Sequence, residues 1–252
     1  MGALHEGHLD LVAKARSKHP KVLCSIFVNP LQFNDPNDLQ RYPRTLKEDR
    51  ALLQEAGCDA LFAPEKESIF AEFVPRSYDL GGLDAHWEGP SRPGHFQGVV
   101  NVVERLFHYV RPEEAFFGEK DRQQLTILRS MARQERWPEM IIGCPTVRTS
   151  GGLALSSRNL RLDPEERTRA TVLYRSLERA AELAFKEPVA KVREAALAVL
   201  QEEPSVELDY FGIADNDTLE PLSEWGDRNQ AVALVAAVVG PVRLIDNITL
   251  TP

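Results

Sequence analysis

The sequence opens on Met1-Gly2-Ala3-Leu4-His5-Glu6-Gly7-His8, in which two histidines bracket a glycine just before the first helical pattern. At a helix N-terminus such a turn gathers two imidazoles and several backbone N–H groups around one point, where the helix dipole also favours an anion. The chemistry is phosphate binding. Gly7 lets backbone approach a ligand closely, and His5 and His8 can donate to negative charge growing on a phosphoryl group. Two histidines three apart also suit an ordinary exposed first turn, so the tract alone leaves both readings open. A zinc pair fits less well, because the helical metalloprotease pattern sets its histidines four apart with a glutamate between them.

Further tracts carry compatible groups. Phe27-Val28-Asn29-Pro30-Leu31-Gln32-Phe33 stands where an apolar strand runs out, and ligands of open α/β sheets bind beyond the carboxyl ends of strands. Asn29 and Gln32 supply neutral donors and acceptors suited to carboxylates and hydroxyls, although an Asn-Pro turn is equally a structural turn. In Phe117-Gly118-Glu119-Lys120-Asp121-Arg122-Gln123-Gln124, Lys120 offers a compact positive charge for phosphate. Asp121 can cap a helix or hold a sugar hydroxyl or metal-bound water, and Gln124 faces the same way one turn later. A solvated charged helix start is the alternative there. Leu155-Ser156-Ser157-Arg158-Asn159 follows Gly151-Gly152. Its hydroxyls and guanidinium could close over a polyphosphate, or form a plain polar loop. Arg92 and His95, in Ser91-Arg92-Pro93-Gly94-His95-Phe96, are further candidates for an anion site.

Helical and strand periods place these tracts at element ends. Leu9, Leu11, Val12 and Ala15 recur at helical spacing between His8 and Lys18, and Pro20 stops the pattern. Lys21–Val28 reads as a buried strand, and Thr45 with Glu48 as a capping box ahead of a helix that Gly57 ends. A strand at Asp59–Ala63, a helix at Gly98–Val110, a strand at Glu114–Gly118, a helix at Asp121–Trp137 and a strand at Glu139–Cys144 follow. That alternation predicts an α/β fold with a doubly wound parallel sheet. After Cys144 the pattern changes: Asp163-Pro164 opens helices to about Phe185, and another runs from about Val189 to Glu202. Strands are then expected at Val206–Ala214, Gln230–Val239 and Val242–Leu250, with Gly240-Pro241 as a turn. A smaller α+β domain with an antiparallel sheet is expected, so the domains are 1–147 and 148–252.

Composition narrows the classes. Over 252 residues, 30 Lys plus Arg face 38 Asp plus Glu, a formal charge of -8, which argues against a protein that coats nucleic acid or anionic membrane. An apolar share of 43% and a charged share of 27% are ordinary globular values. The longest apolar run, Ala231–Val239, is far below the roughly 18 residues of a membrane span. Cys24, Cys58 and Cys144 have no CxxC spacing, and the opening residues lack a basic then hydrophobic segment. A cytoplasmic protein is expected.

Taken together, MGALHEGH, FVNPLQF, RYPRTLKED, RPGHFQGVVNVVERLF, FGEKDRQQ and LALSSRN, in this order, resemble the pantothenate synthetase (pantoate-β-alanine ligase) family. The resemblance covers residues 1 to 160, and the remainder fits that family's small C-terminal domain in length and pattern. It implies a Rossmann-like fold of the HxGH nucleotidyltransferase type, related to class I aminoacyl-tRNA synthetases. It also implies Mg-ATP, which activates pantoate as pantoyl adenylate with release of pyrophosphate; β-alanine then displaces AMP. Carried over by motif, Met1, Gly2, Ala3, Leu4, His5, Gly7 and His8 line the ATP site, with His8 as proton donor. Gly118, Glu119, Lys120 and Asp121 bind ATP, Lys120 on phosphate; Val147 touches the adenine side, and Leu155, Ser156, Ser157 and Arg158 form a closing loop. Gln32 holds pantoate and approaches β-alanine, Asn29 lies nearby, and Gln124 binds pantoate. Mg2+ enters mainly through the ATP phosphates. A homodimer through the larger domain is implied. The family pattern places a strand and a Pro-Thr pair before the opening methionine, so the natural start is expected upstream of Met1. A nucleotidylyltransferase that stops at the nucleotide adduct, and a tRNA-binding relative, are the alternatives.

Overall fold

The computed structural model describes residues 2–32, 39–40 and 42–252. Met1, expected at the ATP site, lies outside the described residues, as do Phe33 and Arg41 of the quoted tracts. The chain divides into two compact units, Met1–Glu119 with Gln123–Pro145, and Lys120–Arg122 with Thr146–Pro252.

In the first unit, α1 (Glu6–Lys18), β1 (Leu23–Ser25), α2 (Leu46–Glu55) and β2 (Ala60–Phe62) are followed by α3 (His95–Val110), β3 (Glu114–Gly118), α4 (Arg122–Gln134) and β4 (Met140–Cys144). β1 pairs β2 in parallel, Leu23 opposite Ala60, and β3 pairs β4 in parallel, Glu114 opposite Met140. The single doubly wound sheet expected from the alternation is therefore two separate parallel pairs among the described residues. Among the described residues the two pairs share side-chain packing on α1. Val12 and Ala15 are buried with Cys24, Ile26 and Leu53, and Phe116 of β3 packs on the same cluster. His19, just past α1, sits 3.0 Å from Glu114 and edge-on to Phe116.

β1 is shorter than its apolar run. The Ile26 N–H still reaches the Phe62 carbonyl at 2.9 Å, but beyond it the chain turns into Asn29-Pro30 and leaves the ladder. The capping box expected at Thr45 and Glu48 does not form: Thr45 makes no side-chain cap bond. Its hydroxyl donates to Asp49 at 3.1 Å instead, a carboxylate being the stronger acceptor. α1 begins at Glu6, two residues ahead of its expected start, because His5 itself caps it.

In the second unit, α5 (Pro164–Arg169), α6 (Thr171–Leu183) and α7 (Val189–Gln201) precede the antiparallel strands β5 (Val206–Asp215), β6 (Ala231–Val239) and β7 (Val242–Leu250), in the order β5-β6-β7. Asp163 and Glu166 close a true capping box with Pro164 in the first turn. Leu173, Leu177, Val192 and Ala196 of the helices share a core with Ala233, Val235 and Ala237 of the central strand. Small and β-branched residues suit a strand covered by closely packed helices. Gly240 takes φ +52 in the turn between β6 and β7, a conformation that glycine adopts without steric penalty.

Asp215 closes β5 and makes a pH-sensitive latch. Burial pushes its carboxyl up, but Arg228 Nε at 2.7 Å and the N–H groups of Asp217 and Thr218, both at 3.0 Å, outweigh that and hold it at about 2. A carboxyl depressed in the folded state stabilises above its unfolded value and loses that contribution as pH falls toward its folded one. The thermal midpoint of Asp215→Asn should lie below that of the unaltered chain near neutral pH, and the gap should close between about pH 4 and pH 2. A gap independent of pH would count against this assignment.

Candidate active site

The opening tract is held by a pair of reciprocal caps. His5 is the N-cap of α1: its Nδ1 accepts the Gly7 N–H at 3.2 Å, and His8 Nδ1 accepts the His5 N–H at 3.4 Å. The two rings lie 4.0 Å apart, tilted by 39°. A histidine used where serine or aspartate normally stands keeps the turn's backbone donors satisfied. It also sets the tautomer: in each neutral ring the accepting Nδ1 leaves the proton on Nε2.

The backbone ahead of His5 is gripped from α2. Asp49, 1% exposed, accepts the N–H of Ala3 at 3.0 Å and that of Leu4 at 2.7 Å, one on each oxygen. Ala3 has φ +48, a left-handed conformation that a residue with a Cβ keeps only when its surroundings hold it there. Sequence reasoning missed Asp49. The available signal was its place four residues before the buried Leu53, on the apolar face of α2.

A second cluster forms around Pro30–Gln32, a single 3-10 turn. Asn29 is 2% exposed; its amide donates to the Gly98 carbonyl at 3.0 Å and its oxygen accepts the Leu31 N–H at 3.1 Å. Both ends of that side chain bind backbone, fastening the turn to α3. The Gln32 carbonyl meets His95 Nδ1 at 2.8 Å and Arg92 Nη2 at 3.3 Å, so the two residues flagged for an anion site gather on the Gln32 main chain. The approach of the turn to α3 depends on Gly98, where an added Cβ would stand 2.2 Å from the Leu31 carbonyl oxygen. Gly98→Ala should destabilise the chain by about 1–3 kcal/mol through overpacking, even though alanine favours helix by about 1 kcal/mol. A denaturant midpoint equal to or above that of the unaltered chain would refute the close approach.

Gly118 ends β3 opposite Cys144, and a side chain built there would meet nothing within 4 Å. Glu119 lies over Gly143, where a Cβ would come within 3.1 Å of its carboxylate. Gln124 is half-buried on the first turn of α4, whereas its neighbour Gln123 is buried and bonds the carbonyls of Leu83 and His86.

In the second unit, Lys120 has a side chain 18% exposed, its Nζ 3.8 Å from the Asp121 carboxylate. Its carbonyl accepts from Asn247 Nδ2 at 2.9 Å. Arg122 is buried and donates to the carbonyl and the side chain of Asn216. Val147 and Leu155 meet across a small hairpin, the Leu155 N–H reaching the Val147 carbonyl at 2.9 Å, with Arg148 bridged to Ala154. Immediately afterwards Ser156 caps the 3-10 helix Ser157–Arg161 by accepting the Arg158 N–H at 3.2 Å. Asn159 ties that turn back to the Ala154 carbonyl at 3.0 Å. The serine–arginine tract is thus a folded turn on a hairpin, not a slack loop.

Parallel strand pairs with polar turns beside them, joined to a unit with an antiparallel sheet, make this an α/β protein with a separate α+β part. The chain belongs to the pantoate-beta-alanine ligase family, whose model matches residues 1–249. It is 50% identical to the pantothenate synthetase of Thermus thermophilus, across 100% of this chain and 91% of that protein. It is 48% identical to the pantothenate synthetase of Rubrobacter xylanophilus, across 99% of this chain and 89% of that one. A crystal structure of the Thermus thermophilus enzyme superposes with TM-score 0.95 at 50% identity, covering 100% of this chain and 91% of that one. The pantoate-beta-alanine ligase of Francisella tularensis, solved in complex with beta-gamma ATP and beta-alanine, gives TM-score 0.79 at 34% identity, covering 98% of this chain and 86% of that one. Among the described residues no helix is long and apolar enough to cross a membrane.

Proposed function

We propose that this chain joins pantoate to β-alanine in an ATP-dependent condensation, the reaction of its family. The observation that carries the reading is 50% identity to a pantothenate synthetase along the whole chain, with the phosphate-compatible tracts kept as folded, capped turns. Pantoate's carboxylate is a weak nucleophile of the same sign as triphosphate, so the protein must neutralise phosphate and align attack, not supply a strong base. In the first step a carboxylate oxygen bonds the α-phosphorus and the bond to pyrophosphate breaks, giving pantoyl adenylate. In the second the β-alanine amine bonds the acyl carbon, AMP leaves and the amine loses its proton.

The roles are those that the family resemblance gives to each tract, and the folded turns are compatible with them. Gly2, Ala3, Leu4, His5, Gly7 and His8 receive ATP at the α1 N-terminus, with Nε2 of His8 donating its proton to the growing phosphoryl charge. Lys120 sets its ammonium on phosphate beside Gly118, Glu119 and Asp121. Val147 meets adenine, and Leu155, Ser156, Ser157 and Arg158 close over the nucleotide. Gln32 and Gln124 hold pantoate, and Asn29 serves by keeping the Gln32 turn on α3. Residues 1–147 are the catalytic domain, of HxGH nucleotidyltransferase type, and residues 148–252 a smaller lid domain that keeps water from the adenylate. Among the described residues no three His, Cys, Asp or Glu side chains gather as a metal site. Mg2+ fits this donor set as an ion carried by the ATP phosphates, where it would supply charge neutralisation. A cytoplasmic homodimer formed through the first unit completes the reading.

The test is incubation with pantoate, β-alanine and Mg-ATP. Pyrophosphate should appear only with pantoate, and AMP only once β-alanine is present. AMP absent in the full mixture, with a nucleotide adduct accumulating, would instead mark a nucleotidylyltransferase. Absence of pantoate-dependent pyrophosphate would overturn the ligase reading.

A further inference from the structure

The second unit contains a continuous buried polar chain that none of the quoted motifs includes. Arg148 and Asp246 form a two-pronged ion pair, Nη1 to Oδ2 at 2.5 Å and Nη2 to Oδ1 at 2.9 Å, with side chains 15% and 4% exposed. Nη1 also donates to the Gly152 carbonyl at 3.1 Å, Nη2 to the Asn247 carbonyl at 3.2 Å, and the guanidinium lies over the Tyr174 ring at 4.0 Å. Asp246 accepts the Asn247 N–H at 2.8 Å, and the Asn247 amide in turn donates to the Lys120 carbonyl at 2.9 Å.

An ion pair this buried is weak evidence for stability, because desolvation offsets most of its attraction. Its geometry instead serves placement. One end grips the hairpin whose strands carry Val147 and Leu155 and which leads into the Ser156–Arg158 turn. The other end holds the main chain of Lys120. Two cationic segments remote in sequence, one bearing Lys120 and one bearing Arg158, are thereby set in one fixed relation within the unit. A polyphosphate met by cations already in place loses less to ordering than one that must gather them.

We propose that Arg148, Asp246 and Asn247 are positioning residues for adenylate formation, holding the Lys120 turn and the serine–arginine turn in register for a single triphosphate. The inference rests on the ligase reading. It concerns the first half-reaction, since pyrophosphate is gone by the second.

The experiment measures both half-reactions in Asn247→Asp and Arg148→Lys, with Asn247→Ala as a third variant and thermal unfolding as the check on folding. Asn247→Asp keeps the size but replaces the donor to the Lys120 carbonyl with an acceptor. Arg148→Lys keeps the charge but loses the fork that spans both Asp246 oxygens. The KM for ATP should rise and pantoate-dependent pyrophosphate release should fall, each by about tenfold, in the folded variants. Conversion of supplied pantoyl adenylate with β-alanine to AMP should stay within about twofold of the unaltered rate. Rates of pyrophosphate release unchanged in all folded variants, or equal losses in both half-reactions, overturn the inference while leaving the ligase reading intact. No pyrophosphate from the unaltered chain overturns the ligase reading, and the inference with it.

Discussion

Lys120→Ala should lower the rate of pyrophosphate release by about two to three orders of magnitude, the scale for removing a charge partner of a transition state. The Lys120 side chain is mostly buried, and its only ion pair among those described is the 3.8 Å approach to Asp121. Its main chain is fastened separately, through the carbonyl that Asn247 holds. Truncation at Cβ therefore removes the ammonium without releasing the turn, and the thermal midpoint should move little. Single-turnover pyrophosphate release with saturating ATP and pantoate is the measurement. Lys120→Arg should recover only part of the loss, because a planar fork does not occupy the position of a compact ammonium. A rate equal to that of the unaltered chain would remove Lys120 from the phosphate.

Asp49→Asn should cost about two orders of magnitude in the same assay. The substitution changes almost no volume, but it places an NH2 where a carboxylate oxygen accepts a backbone N–H. Asp49 has three donors converging on it, from Ala3, Leu4 and Thr45, and an amide can rotate to satisfy only one side. A hydrogen bond to a buried charged acceptor contributes about 1.5–3 kcal/mol, enough to let Ala3 relax from φ +48 and to move the cap that His5 makes. Misplacement of a phosphate-binding turn by about 1 Å is what costs 10²-fold in rate. Some thermal stability should be lost as well. The diagnostic is the rate per folded molecule, measured well below the midpoint. Activity that falls only in proportion to unfolded protein would make Asp49 a stability residue alone.

Much of the secondary structure was legible locally. The strand Val242–Leu250 has the bounds that its residue types predict, and Val189–Gln201 ends one residue short of expectation. Misses have identifiable causes. The Lys21–Val28 run is almost continuously apolar, but only Leu23–Ser25 forms the ladder, because the partner β2 is itself three residues long. Thr45 and Glu48 have the letters of a capping box, yet a nearby buried carboxylate outcompetes the cap. Arg92 and His95 stand just before a helix, which makes them candidates for an anion site; that both also donate to the Gln32 carbonyl is a contact with a residue 60 and 63 positions away, beyond the reach of any local pattern.

The order of the tracts, the helical and strand periods, and the family were determined by sequence alone, because each depends on residue types and on neighbours within a turn or two. Only the tertiary structure decided that Asp49 holds the Ala3 backbone, that His95 meets Gln32 and that Asn247 grips Lys120. Those bonds join residues 46, 63 and 127 positions apart, and no local periodicity records which distant donor a buried acceptor will find once the core has closed.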